Sequence, residues 1–117
     1  MDIRVKRVYD PPSPDDGMRV LVDRLWPRGL SREKAHVDLW LKELAPSTEL
    51  RKWFNHEPEK WDEFRRRYLQ ELQQQPEALA HAIDAMGTGP VTLVFGAREA
   101  RYNDAVALRD FMLARGA

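Results

Sequence analysis

Residues 91–95 read Val91-Thr92-Leu93-Val94-Phe95, a nearly continuous run of β-branched and aromatic side chains. A strand with one wet face alternates polar and apolar residues. A run without alternation needs cover on both faces, as in the middle of an α/β sheet. Partners for such a strand occur near the N-terminus. Residues 3–9 set Ile3, Val5, Arg7 and Tyr9 against Arg4, Lys6 and Val8, the pattern of a strand with one partly wet face. Residues 18–22 supply another strand. Between them, residues 10–17 hold three prolines and a glycine and form a loop. That loop is too short for an ordinary helical crossover. The first two strands therefore form a hairpin, or run parallel with an unusually bare crossover.

The layers that cover the sheet come later in the chain. Ser31 caps a short helix through Ala35. Residues 36–44 fit two patterns. Val37, Leu39 and Leu41 alternate like a strand, whereas Val37, Trp40, Leu41 and Leu44 fit a helix. A short strand continuing into Glu43-Leu44-Ala45-Pro46 is the expectation. Ser47 or Thr48 opens a helix through about Phe54, with Glu49 complementing its dipole. Pro58 suits a first helical position, and Trp61, Phe64, Tyr68 and Leu72 form the apolar stripe that follows. Pro76 starts another helix, with Leu79, Ala82, Ile83 and Met86 inward and Gly87 as C-cap. Asn103 caps a last helix whose stripe is Ala105, Leu108, Phe111 and Met112. No repeat, low-complexity tract or linker interrupts the 117 residues. The expected fold is a small single-domain α/β protein over residues 1–117. It has a mostly parallel sheet of about four strands layered by helices.

Composition narrows the function classes. Formal net charge is zero, so any anion site must be local, and bulk attraction to nucleic acid or an anionic membrane is not expected. There is no cysteine, which removes disulfides, thiolate nucleophiles and Cys-based metal sites. His36, His56 and His81 lack metal-ligand spacing, so no metal is expected. The N-terminal residues show no secretory h-region and no apolar run spans a membrane, which makes a cytoplasmic protein the expectation. Of the 19 basic residues 14 are arginine. Guanidinium forks suit carboxylate or phosphate recognition, although a bias toward arginine codons would give the same ratio.

Ligands of α/β sheets gather beyond the C-terminal ends of the strands. Three polar segments follow predicted strand ends: Tyr9 and Asp10, Asp23 to Arg28, and Gly96 to Asn103. If the strands are parallel these share one edge of the sheet; in a hairpin, Arg7 and Tyr9 fall on the wrong side. In the second segment Arg24 and Arg28 can clamp an anion, with Asp23 orienting an arginine or acting as general acid or base. Trp26 can stack on a planar ligand. The opposing reading is that Asp23 and Arg24 form a structural ion pair and Trp26 belongs to the core. Ser47, Thr48 and Arg51 make a helix start that suits an anion, or an ordinary cap with a solvated arginine. Asn103 and Arg98 are further candidate contacts, whereas Asp104 reads mainly as a dipole partner and His56 as a solvent-facing loop residue. Arg65-Arg66-Arg67, beside Glu63 and Glu71, reads as a solvated helix face. Neither a dinucleotide fingerprint nor a P-loop follows the strands, so no cofactor is expected.

Lys6-Arg7-Val8-Tyr9-Asp10-Pro11, the run from Leu21 to Gly29, and the run from Ala45 to Phe54 together resemble the YeaO-like branch of the DUF488 family. The likeness spans nearly the whole chain. It implies that residues 36–42 form a strand. Longer relatives in that family carry an Asp, an Arg and a Pro after the second strand, like Asp23, Arg24 and Pro27. They often carry a Cys and a His before the last helix, where this chain has Asn103-Asp104, so a thiol-dependent role is not implied here. The expected function is binding of an anionic small molecule, phosphorylated or nucleotide-like. Its contacts would be Arg7, Tyr9, Arg24, Trp26, Arg28, Ser47, Thr48, Arg51 and Asn103, with Asp23 as acid or base if chemistry occurs. The alternative is a non-enzymatic interaction or nucleic-acid-associated module that uses Trp26, Trp53 and the arginine run.

Overall fold

A computed structural model describes residues 2–116. Its four strands are β1 (Ile3–Arg7), β2 (Met18–Leu21), β3 (Leu39–Trp40) and β4 (Val91–Phe95). They form one sheet in the order β1-β4-β2-β3, and every pairing is parallel. β4 is buried along its whole length, as its unbroken apolar run requires. It lies between β1 and β2, with Val91 opposite both Ile3 and Met18.

That placement settles the first connection: β1 and β2 are parallel and joined by a bare crossover over β4. Simple lengths show why no helix is needed. The chain must return along one strand, roughly 16 Å, and step across two strand spacings, roughly 10 Å. The segment 8–17 reaches up to about 33 Å when extended. A crossover of turns, with one 3-10 turn at Pro14–Asp16, covers the sheet thinly, and a polar network fills the space. Arg19 is buried under it. Its guanidinium donates to Asp16 Oδ2 (2.8 Å), to the Ala35 carbonyl (3.0 and 3.1 Å) and to the Val8 carbonyl (3.3 Å). Lys6 Nζ lies 3.2 Å from Asp16, and Thr92 Oγ1 donates to the Asp16 carbonyl at 2.7 Å. Burial works to raise the Asp16 pKa. The hydrogen bonds from Arg19, the Ser13 backbone and Lys6 outweigh it and hold the carboxyl below its ordinary value. Gly17 ends the crossover at φ 62°, ψ −136°, a conformation favouring glycine, and a Cβ there would lie 2.2 Å from the Pro90 carbonyl oxygen.

The helices are α1 (Arg32–Ala35), α2 (Thr48–Phe54), α3 (Trp61–Gln73), α4 (Pro76–Met86) and α5 (Asp104–Gly116). Apolar side chains of α2 to α5 meet Val20, Val22, Val91, Leu93 and Phe95 in the large core. The opposite face carries a smaller cluster of Val8, Leu21, Ala35 and Val94 with Trp26 and Trp40 against it. The expected caps occur at Ser31 and Ser47, and the last helix starts behind Asn103, whose Oδ1 accepts the Val106 N–H. Pro58 opens a 3-10 turn, Pro58–Lys60, that leads directly into α3.

The strand expected over residues 36–42 shortens to Leu39–Trp40, and a 3-10 turn, Lys42–Leu44, replaces its continuation. Packing explains the change. Trp40 faces the small cluster, while Leu41 and Leu44 are both buried in the large core. A 3-10 turn places residues three apart on one side, which a strand would not do for this pair. Neither pattern runs the length of the segment: a two-residue strand is followed by a 3-10 turn.

Candidate functional site

Because the sheet is parallel, the segments after β1, β2 and β4 meet at one edge. A cleft of about 540 Å³ opens there. Tyr9, the run Asp23 to Arg28, Ala45, Pro46, Arg51, Phe54, His56, Phe64, Gly96, Ala97, Asn103 and Asp104 line it. One wall is aromatic, with Phe54 and Phe64 stacked at 4.4 Å between ring centres.

Asp23 and Asp104 are paired in this cleft. Asp23 follows β2, and its Oδ2 accepts the backbone N–H of Gly96 at 2.7 Å. A side chain at position 96 would place its Cβ 3.2 Å from that oxygen, so glycine lets the carboxyl reach the backbone. Asp104 opens α5. Its Oδ1 accepts the Ala105 N–H at 2.9 Å, and its carboxyl lies within hydrogen-bonding reach of that of Asp23. Burial, then the charge of Asp23, then this hydrogen bond push the Asp104 pKa well above the ordinary carboxyl value. A proton between the two carboxyls accounts for that direction, since two ionised carboxylates in such contact repel. Buried Tyr68 lies nearby and donates its hydroxyl to the Leu44 carbonyl. Burial first, and then the charges of Asp104, Glu71 and Asp23, push its pKa well up and keep it neutral.

Three arginines line the same cleft. Arg24 Nη2 reaches the carbonyls of Pro46 (3.3 Å) and Ala45 (3.4 Å). Among the described residues the exposed guanidiniums of Arg28 and Arg51 have no protein partner by hydrogen bond or ion pair. The Arg28 carbonyl accepts the Tyr9 hydroxyl at 2.8 Å, which ties the 26–29 turn to the end of β1. Gly29, at φ 74°, makes that turn. Asn55 and His56 both lie in the left-handed region, at φ 48° and 56°, where the chain reverses after α2 and puts His56 on the cleft. Consecutive non-glycine residues in that region are uncommon and cluster at functional sites.

The other candidates have different surroundings. Trp26 lines the cleft, but its indole N–H donates to the Leu30 carbonyl (2.6 Å). Its ring meets Trp40 edge-on (5.5 Å), with Arg32 over it (5.1 Å). Asn103 also lines the cleft, while its amide caps α5 and donates to the Glu99 carbonyl at 2.8 Å. Arg7 is outside the lining; its Nε donates to the Ala97 carbonyl at 3.0 Å and its guanidinium sits over Tyr9. Ser47 and Thr48 are outside it as well. The Ser47 hydroxyl (2.6 Å) and backbone N–H (2.8 Å) both go to Glu71. The α2 start thus does receive an anion, one supplied by α3. The arginine run also lies elsewhere: Arg66 and Arg67 both bond Glu63, holding its carboxyl down to about 2, and Arg67 covers Trp53 at 4.3 Å.

Asp104, His56 and the two phenylalanines are lining residues that sequence reasoning did not single out as contacts. For Asp104 the available signal was an acid directly after a predicted cap and close to a predicted strand end. Its pairing with Asp23, 81 positions away, had no local signature.

A family model described as the inactive DUF488-N3 subclade matches residues 2–117. The uncharacterized protein YeaO of Escherichia coli (strain K12) is 44% identical over 112 residues, which covers 96% of this chain and 97% of that one. An uncharacterized protein of Mycobacterium tuberculosis (strain ATCC 25618 / H37Rv) is 43% identical over 113 residues, covering 97% and 95%. No solved structure matches significantly. Among the described residues no helix is long and apolar enough to cross a membrane.

Proposed function

The chain belongs to the DUF488 family, in the branch described as its inactive DUF488-N3 subclade, and we propose from that premise that it binds an anionic small molecule without turning it over. The ligand would sit in the cleft at the C-terminal ends of the strands. Its anionic group would be held by Arg24, Arg28 and Arg51. The observation that carries this reading is the pair of partnerless guanidiniums, Arg28 and Arg51, facing one cleft with Arg24. Arginine offers forked donors and no acceptor, the complement of a phosphate or carboxylate. Tyr9, Trp26 and Asn103 would shape the pocket, since their polar groups are committed within the protein.

Thermal denaturation with a panel of phosphorylated metabolites tests the proposal. A ligand at one hundred times its Kd should add about 2.7 kcal/mol of stability. The Arg28→Ala/Arg51→Ala double variant should bind it at least tenfold more weakly. Absence of any shift across the panel, or equal binding by the double variant, would sink the reading.

The hydrogen-bonded carboxyls favour one other reading, acid–base catalysis by Asp23. Recovery of the bound compound unchanged after long incubation with the protein separates the two. A nucleic-acid role would instead give a gel shift at low salt that disappears as salt rises.

A further inference from the structure

Resting on the anion reading above, we infer that the cleft selects a hydroxyl-bearing phosphate ester, with the phosphate among Arg24, Arg28 and Arg51 and ligand hydroxyls on the Asp23–Asp104 carboxyl pair. The pentose phosphate part of a nucleotide is one member of this class.

The polarity of the cleft carries the inference. Its arginines can only donate hydrogen bonds, while the carboxyl pair mainly accepts them. In the protein the pair takes the Gly96 and Ala105 backbone N–H groups and its own shared proton. Two carboxyls have lone pairs beyond those, and donors brought by a ligand can meet them. A ligand that fits both ends must therefore be anionic at one end and donor-bearing at the other. Charge restricts it further. Three guanidiniums against two carboxyls leave an excess of positive charge whichever way the pair is protonated. That matches a phosphate monoester, which carries about −1.5 to −2 near neutrality. It also disfavours an ammonium as the donor, because the arginines would repel it. Hydroxyls satisfy both conditions. The stacked Phe54 and Phe64 offer an apolar wall for the carbon face of a sugar or for a base.

Two further polar side chains are nearby. Glu71 is spent on Ser47, and His56 lies on the lining. An imidazole offers at most one acceptor nitrogen, against the several lone pairs of the carboxyl pair.

Calorimetric titration of the full chain with ribose 5-phosphate, methyl phosphate and ribose provides the test. Hydroxyls bonded to a charged pair should make ribose 5-phosphate bind at least tenfold tighter than methyl phosphate. Asp23→Asn should erase that difference. Equal affinity of the two phosphates for the wild type overturns the inference and leaves the anion reading standing. Failure of both phosphates to bind overturns the anion reading and this inference with it. A folded Asp23→Asn variant that keeps the tenfold gap also overturns the inference. If that variant does not fold, the wild-type comparison alone decides.

Discussion

Replacing Asp104 by asparagine tests the shared proton directly. An amide has nearly the shape of a protonated carboxyl and can still donate to Asp23, but it does not titrate. In the folded wild type the Asp104 pKa lies well above its ordinary value, so the folded protein holds a proton that the unfolded chain releases above about pH 4. The sign follows from linkage. This group's contribution is fully present below the unfolded pKa and is lost as pH rises toward the folded one. Each pH unit over which only the folded state holds the proton costs about 1.4 kcal/mol, one proton's worth. Two such units remove about 2.7 kcal/mol, a large part of the roughly 5–15 kcal/mol that keeps a domain folded. Asp104→Asn should lack this slope. The quantity to follow is the stability difference between wild type and variant, measured by urea unfolding at pH 5, 6 and 7. His36, His56 and His81 are the same in both proteins, so the difference cancels them. Asp16, held below its ordinary value, loses its contribution only as pH falls through still more acidic values. Of the groups around Asp104, Tyr68 stays neutral across the range. Curves that run parallel between pH 5 and 7 would refute the shared proton.

Gly17→Ala should destabilise by about 3 kcal/mol or more. The backbone conformation alone costs about 1–3 kcal/mol for a residue with a side chain. The new Cβ would also displace the Pro90 carbonyl that accepts the Met18 N–H at 3.0 Å. A fall in Tm of under about 4 °C would contradict this. Ser47→Ala removes a cap and a partner of Glu71 and should cost about 1–2 kcal/mol in urea unfolding. It should leave phosphate binding unchanged, because Ser47 does not face the cleft. A tenfold loss of phosphate affinity would contradict that placement.

Local pattern by itself determined most of the elements. The unbroken run 91–95 demanded cover on both faces, and β4 is the fully buried strand. Stripes such as Phe64, Tyr68 and Leu72, and caps such as Ser31, Ser47 and Asn103, act within one or two turns and were legible directly. So was the candidate region, because Asp23 to Arg28 put charge immediately after a buried strand. Tertiary structure decided whatever depends on which neighbour arrives. Residues 3–9 and 18–22 have the same strand pattern in a hairpin or a parallel pair, and only the insertion of β4 between them fixes the direction. Leu41 and Leu44 change pattern because they turn toward the large core. Ser47 looks like an open anion site until Glu71 of α3 occupies it, and Asp104 looks like a dipole partner until α5 sets it against Asp23. A hydrogen bond depends on distance in space, whereas helix and strand signals depend on separation along the chain. The charged turn after β2 was therefore visible in the sequence, and its carboxyl partner only in the fold.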